Sequence, residues 1–175
     1  MDAPAPSART SIAVAAPLHV SGYGLTVRDL GRCVAFYETV VGLETLERDG
    51  AVALLGAGGV PLLTLTQRDG LVPDDRKTAG LFHAAFVLPD RAALARWYHH
   101  AKAMGLPIER TGDHLVNEAI YYDDPEGNGC ECYADRPPET WDWDADGLCS
   151  IEPGIPVDIE SLTREAPDDG AAWAP

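Results

Sequence analysis

Val27-Arg28-Asp29-Leu30 and Leu88-Pro89-Asp90-Arg91 are the same event written twice, 61 residues apart. In each, an apolar run stops at an Asp, whose side chain is suited to accept a hydrogen bond from an orphaned N–H of the helix that follows. Upstream of the first, Val20, Tyr23, Leu25 and Val27 predict a strand over 20–27. Downstream, Leu30, Val34, Tyr37, Val40 and Val41 fall at helical spacing as far as Gly42, where a left-handed cap is wanted. Three short strands are expected next, near 43–48, 51–56 and 60–66, with Asp49-Gly50 as a hairpin turn and Gly56-Ala57-Gly58-Gly59 as the next break. A polar loop over 67–80 closes the first unit.

The order then recurs. Residues 81–88 read as a strand, and Asp90 caps a helix with Leu94, Trp97, Ala101 and Met104 on one face, ended by Gly105. Strands are expected near 107–111, 116–123 and 129–134, the last two joined by Asp124-Pro125-Glu126-Gly127-Asn128-Gly129, a turn dense in residues with preset or permissive φ. A βαβββ unit used twice predicts an α+β fold.

Composition bounds the function. The chain has 175 residues, with 28 Asp and Glu against 13 Lys and Arg, a formal net charge of -15. That field repels phosphate backbones and anionic lipid, so no nucleic-acid partner and no membrane are expected. Residues 136–175 hold 10 acidic and 2 basic side chains, a net of -8, so more than half of the excess lies in an acidic C-terminal extension over 137–175. There Asp158-Ile159-Glu160-Ser161-Leu162 could open a short helix. Residues 1–17 read as a flexible N-terminal arm whose apolar stretch Ile12–Ala16 is too short for a signal peptide. Cys33, Cys130, Cys132 and Cys149 are too sparse for a disulfide framework, which suits a reducing cytoplasm. Two lysines beside eleven arginines hint at a GC-rich bacterial genome.

The body, over roughly residues 18–145, resembles the vicinal oxygen chelate (VOC) superfamily, which includes glyoxalase I, bleomycin-resistance proteins and extradiol (catechol) dioxygenases. The carrying residues in repeat one (18–67) are Leu25-Thr26-Val27-Arg28-Asp29-Leu30, Phe36-Tyr37 and Val41-Gly42-Leu43. In repeat two (80–136) they are Gly80-Leu81-Phe82-His83-Ala84-Ala85-Phe86, Asp113-His114 and the run Asp124 to Pro137, which with Trp141-Asp142-Trp143 is most similar to the catechol-2,3-dioxygenase-like branch. The resemblance implies a domain over 18–136 in which two βαβββ repeats form a cup-like half-barrel, a small-molecule ligand, frequent homodimers, and metal ligands on the first strand of each repeat and on the last strand.

Carried onto this chain, it places metal ligands at His83 and Glu131. The third ligand of the extradiol branch falls on Gly22, three residues before Leu25 and 61 before His83, and a glycine has no side chain to ligate with. The fourth position, used by glyoxalase I, falls near Thr64. A divalent metal, iron or manganese, is therefore expected to be weakly bound or absent, ahead of the alternative that His19 substitutes. His114 and Tyr121 fall near the places where extradiol enzymes keep a proton-shuttling His and Tyr, a role that suits imidazole. Packing in the cup mouth is the plainer account of both. His99 and His100 are expected at the surface, since adjacent residues do not share a helix face.

Two readings stay open. The intact last-strand motif and His114 favour a dioxygenase-like metalloenzyme, or a related lyase or isomerase, acting on a small oxygen-rich ligand. Gly22 and Thr64 favour a metal-free small-molecule binding or resistance protein of the bleomycin-resistance type.

Overall fold

In the computed structural model, residues 20–73, 77, 79–151, 154–166 and 173 are described. His19 and the N-terminal arm lie outside them.

Repeat one runs β1 (Tyr23–Val27), α1 (Leu30–Phe36, widened into a π-type turn over Tyr37–Val41), β2 (Glu44–Asp49), β3 (Val52–Ala57) and β4 (Val60–Gln67). Repeat two runs β5 (Ala84–Leu88), α2 (Arg91–Ala103), β6 (Arg110–Asp113), β7 (Asn117–Asp123) and β8 (Gly129–Asp135). Each repeat makes one four-stranded sheet of the same order, β1-β4-β3-β2 and β5-β8-β7-β6. In both, the first strand lies parallel to the last and every other pair is antiparallel. The fold is α+β, two mixed sheets forming an open, cup-like surface. Among the described residues no helix is long and apolar enough to cross a membrane.

The caps act as the residue types require. Asp29 accepts from the Arg32 N–H at 2.9 Å and Asp90 from the Ala93 N–H at 2.7 Å. Gly42 ends α1 with φ 88°, a left-handed conformation that a side chain would strain. Three boundaries differ from expectation. The strands predicted from residues 20, 81 and 107 begin at Tyr23, Ala84 and Arg110, so Gly22, His83 and Glu109 sit on the entries to strands.

One core joins the repeats. The apolar face of α1 and the Leu94, Trp97 and Ala101 face of α2 are buried, and only Met104, at the frayed end, is exposed. Trp97, fully buried, packs on Tyr122 with centroids 5.1 Å apart and donates its indole N–H to the Val40 carbonyl at 2.8 Å. The long turn of repeat two also reaches repeat one. Asp124 accepts from the Glu126 and Asn128 N–H groups and from the Tyr37 hydroxyl at 2.9 Å, and Glu126 pairs with Arg28 at 2.5 Å. Buried polar groups left without such partners would cost roughly 1–3 kcal/mol each. His99 and His100 are half-buried, not at the surface as expected; His100 Nε2 lies 2.6 Å from the Thr39 carbonyl, so α2 lies against the end of α1.

The acidic extension folds back on its own domain. Ile155 bridges to Asp113 at the outer edge of β6, and Val157 donates its N–H to Thr111 Oγ1 at 3.1 Å. The expected short helix forms as α3 (Ile159–Arg164), capped by Asp158, with Leu162 fully buried. Arg91 ties α3 to the sheet: it pairs with the buried Glu118 on β7, with Glu165 at 2.8 Å and with the Ser161 hydroxyl at 3.2 Å.

Candidate ligand-binding site

Period-two alternation along β8 sends Cys130 and Cys132 into the core and Glu131 to the other face. The thiols are inert: burial pushes Cys130 up to about 12, and both meet tyrosine hydroxyls, Tyr37 at 3.8 Å and Tyr122 at 3.2 Å. Glu131 is 6% exposed, and His83 Nε2 lies 2.8 Å from its Oε2. The structure thus brings together the two residues that the resemblance paired.

Tyr121 stands opposite Glu131 in the β7–β8 register, and its ring meets the His83 ring edge-on at 5.6 Å. Its hydroxyl bonds to Glu131 and lies 3.0 Å from His114 Nε2. The four candidates therefore form one chain, His83–Glu131–Tyr121–His114. Burial pushes the Glu131 carboxyl up, and the neighbouring His83 and then His114 pull it back. Tyr121 rises to about 12, first through burial and then through the Glu131 charge.

His114 is held by features that sequence patterning missed. A Cβ on Gly112 would sit 2.8 Å from His114 Nε2, and one on Gly154 would sit 3.1 Å from its Cε1, so the ring occupies a slot between two glycines. Gly154 comes from the extension, 40 residues along the chain, and no periodicity points to it. Leu115 beside it takes φ 69°, a left-handed conformation costing a non-glycine residue roughly 1–2 kcal/mol, and its N–H is fixed by Asp113 Oδ1 at 2.9 Å.

Asp113 is also gripped by Arg136 through two bonds of 2.5 and 2.7 Å, and this hydrogen bonding holds its carboxyl below the usual carboxylate range. A carboxyl lowered in the folded state stabilises the fold above its unfolded pKa, roughly 3.9, and loses that contribution as pH falls through the folded value. Thermal unfolding followed downward from about pH 5 should therefore fall less steeply in Asp113→Asn than in the parent chain. Parallel acid limbs would show that the pair contributes no such stability.

A cavity of about 780 Å³ opens beside this chain of groups, lined by Phe82, His83, Arg110, Tyr121 and Asn128 among others. Gly22 and Thr64 line a separate hollow of about 350 Å³ on the sheet of repeat one. Registers explain the correspondence: Gly24 pairs with Thr64 as Ala85 pairs with Glu131. Thr64 is thus the repeat-one counterpart of Glu131, and Gly22 that of His83.

Among the described residues, the donor set falls short of what a resident divalent metal needs. A catalytic centre needs about three protein ligands converging on one point. Here two groups converge and are hydrogen-bonded to each other, and the third place is a glycine whose added Cβ would already lie 3.1 Å from the Leu62 carbonyl oxygen. Among the described residues no group of three or more His, Cys, Asp or Glu could hold a metal ion.

A family model for the Glyoxalase/Bleomycin resistance protein/Dioxygenase superfamily matches residues 17–132. The chain belongs to this superfamily. Over 157 residues this VOC protein is 40% identical to a protein named catechol-2,3-dioxygenase from Bacillus subtilis (strain 168), a match that takes in 86% of the chain and 53% of that relative. The chain thus spans about half the length of the curated relative it matches. Among solved structures, a glyoxalase/dioxygenase from Nostoc punctiforme superposes with a TM-score of 0.58 at 22% identity, covering 78% of this chain and 99% of that one. A lactoylglutathione lyase from Agrobacterium tumefaciens gives 0.54 at 24% identity, covering 67% and 94%. At these identities the structures speak for the VOC fold alone.

Proposed function

We propose that this VOC module binds a small oxygen-rich aromatic ligand of the catechol type in the cavity of repeat two, without a resident metal. The observation that carries the reading is Gly22 at the third ligand position, which leaves His83 and Glu131, 2.8 Å apart, as a pair. The catechol class is suggested by the name of the Bacillus subtilis relative. Phe82 and Tyr121 supply flat apolar walls, and His83 offers a ring nitrogen to a ligand hydroxyl. A proton accepted there can be shared with Glu131, and Tyr121 and His114 extend that hydrogen-bonded chain.

The test is calorimetric titration of catechol into the purified chain. We expect a Kd near or below about 1 mM, unchanged by a chelator, and weakened about tenfold in His83→Leu, the effect of one charge-assisted hydrogen bond. Binding that disappears with chelator and returns with iron or manganese would replace this reading with the metalloenzyme one. That second reading rests on the relative's name and needs a third ligand from outside the described residues, His19 being the candidate.

A further inference from the structure

Three of the arginines that bear on the fold are committed. Arg28 pairs with Glu126, Arg91 with Glu118 and Glu165, and Arg136 with Asp113. Arg110 differs. It lines the 780 Å³ cavity, is exposed, and lies over rings: its guanidinium carbon is 4.2 Å from the Tyr121 centroid and 5.9 Å from that of Phe82. Among the described residues it makes no salt bridge, and its charge reaches Glu131 only through space, helping to lower that carboxyl. Glu109 and Asp123 also line the cavity, but each has partners of its own.

A guanidinium stacked on a ring keeps its edge of N–H groups free, and that edge matches a carboxylate in a bidentate, planar fit. The ring beneath fixes its orientation, so little side-chain freedom is lost when an anion arrives. Phe82, 77% exposed, meets the His83 ring in a tilted contact at 4.7 Å and stands at the same opening, offering apolar surface to a ligand. The cavity therefore presents a ring-binding wall with a hydrogen-bonding imidazole at one place and an unclaimed carboxylate fork at another. The chain's overall charge of -15 opposes an anion at long range, where salt screens it, and at the cavity itself Glu109 and Asp123 are the carboxylates an anion meets beside Arg110.

From this we infer that Arg110 is a specificity-determining residue and that the ligand is an aromatic carboxylate, a ring bearing vicinal oxygens for His83 and a carboxylate for Arg110. The inference rests on the proposed binding of a catechol-type ring and adds the second anchor. It goes beyond that reading by predicting that the uncharged ring alone is the poorer ligand.

The experiment compares three probes on one scaffold: catechol, 3,4-dihydroxybenzoate and its methyl ester, each titrated against the full chain. The carboxylate should bind about tenfold or more tighter than both uncharged probes, the range expected of a bidentate charge-assisted contact. Arg110→Gln should cut the affinity for 3,4-dihydroxybenzoate by about tenfold while changing that for catechol less than about threefold. Arg110→Lys, which keeps the charge and loses the fork, should recover part of that affinity. Arg110 is exposed, so both variants should fold, and matching circular dichroism and melting curves verify it. If catechol binds as tightly as the carboxylate, or Arg110→Gln weakens all three probes alike, the assignment of Arg110 is overturned while the ring-binding site stands. If no probe binds, both are overturned.

Discussion

Gly22→His is expected to turn a chain holding less than about a tenth of an equivalent of iron or manganese into one holding close to one equivalent. The paired registers Gly24–Thr64 and Ala85–Glu131 make position 22 the repeat-one counterpart of His83. The two first strands meet through their side chains, Tyr23 of β1 and Phe86 of β5 having ring centroids 6.2 Å apart. An imidazole at 22 would join His83 and Glu131 as the third donor of a two-His-one-carboxylate set, the set that suits a divalent iron site with open positions. The strand must yield by a few tenths of an ångström, because the new Cβ would lie 3.1 Å from the Leu62 carbonyl oxygen. A folded Gly22→His protein that gains no metal would show that the vacancy at 22 is not what keeps metal out.

The second large effect lies away from the cavity. Arg91→Met should lower stability by about 2–4 kcal/mol and Tm by several degrees, read by denaturant titration and calorimetry. Glu118 is 3% exposed, and its main partner is Arg91; Arg136 is farther, at 3.5 Å. Removing Arg91 leaves a buried carboxylate short of its counter-charge, which costs more than the pair contributed. The same guanidinium also holds Ser161 and Glu165, so amide exchange in α3 should accelerate selectively. Glu165 is 48% exposed on its side chain, and Glu165→Gln should change stability by no more than about 0.5 kcal/mol. Equal losses from both substitutions would place the energy in the surface pair instead of the buried one.

Much of this architecture could be read from local chemistry. Asp29, Asp90, Gly42 and Gly105 punctuate helices by rules of capping and φ that depend on near neighbours, so both helices and the repeat were visible. The pairing of His83 with Glu131 was legible because alternation on β8 separates Glu131 from Cys130 and Cys132, leaving one face for the cup. The slot around His114 was not. Gly154 reaches it only because α3 docks on α2 through Leu162 and Arg91, and no local pattern encodes a contact over that separation. Arg110 escaped for a different reason. A polar residue on a short edge strand looks solvated, and only its place over the Tyr121 ring in the cavity wall sets it apart. Helix-face reasoning puts His100 at the surface because it ignores the end of α1, whose Thr39 carbonyl meets that ring.

The central claim is that this cup works through a His83–Glu131 couple and not through a bound metal. The direct measurement is the metal content of the chain, prepared without chelators and given excess ferrous or manganous ion before desalting. The account predicts less than about a tenth of an equivalent, unchanged by Glu131→Ala. Close to one equivalent, lost on Glu131→Ala or His83→Ala, would contradict it.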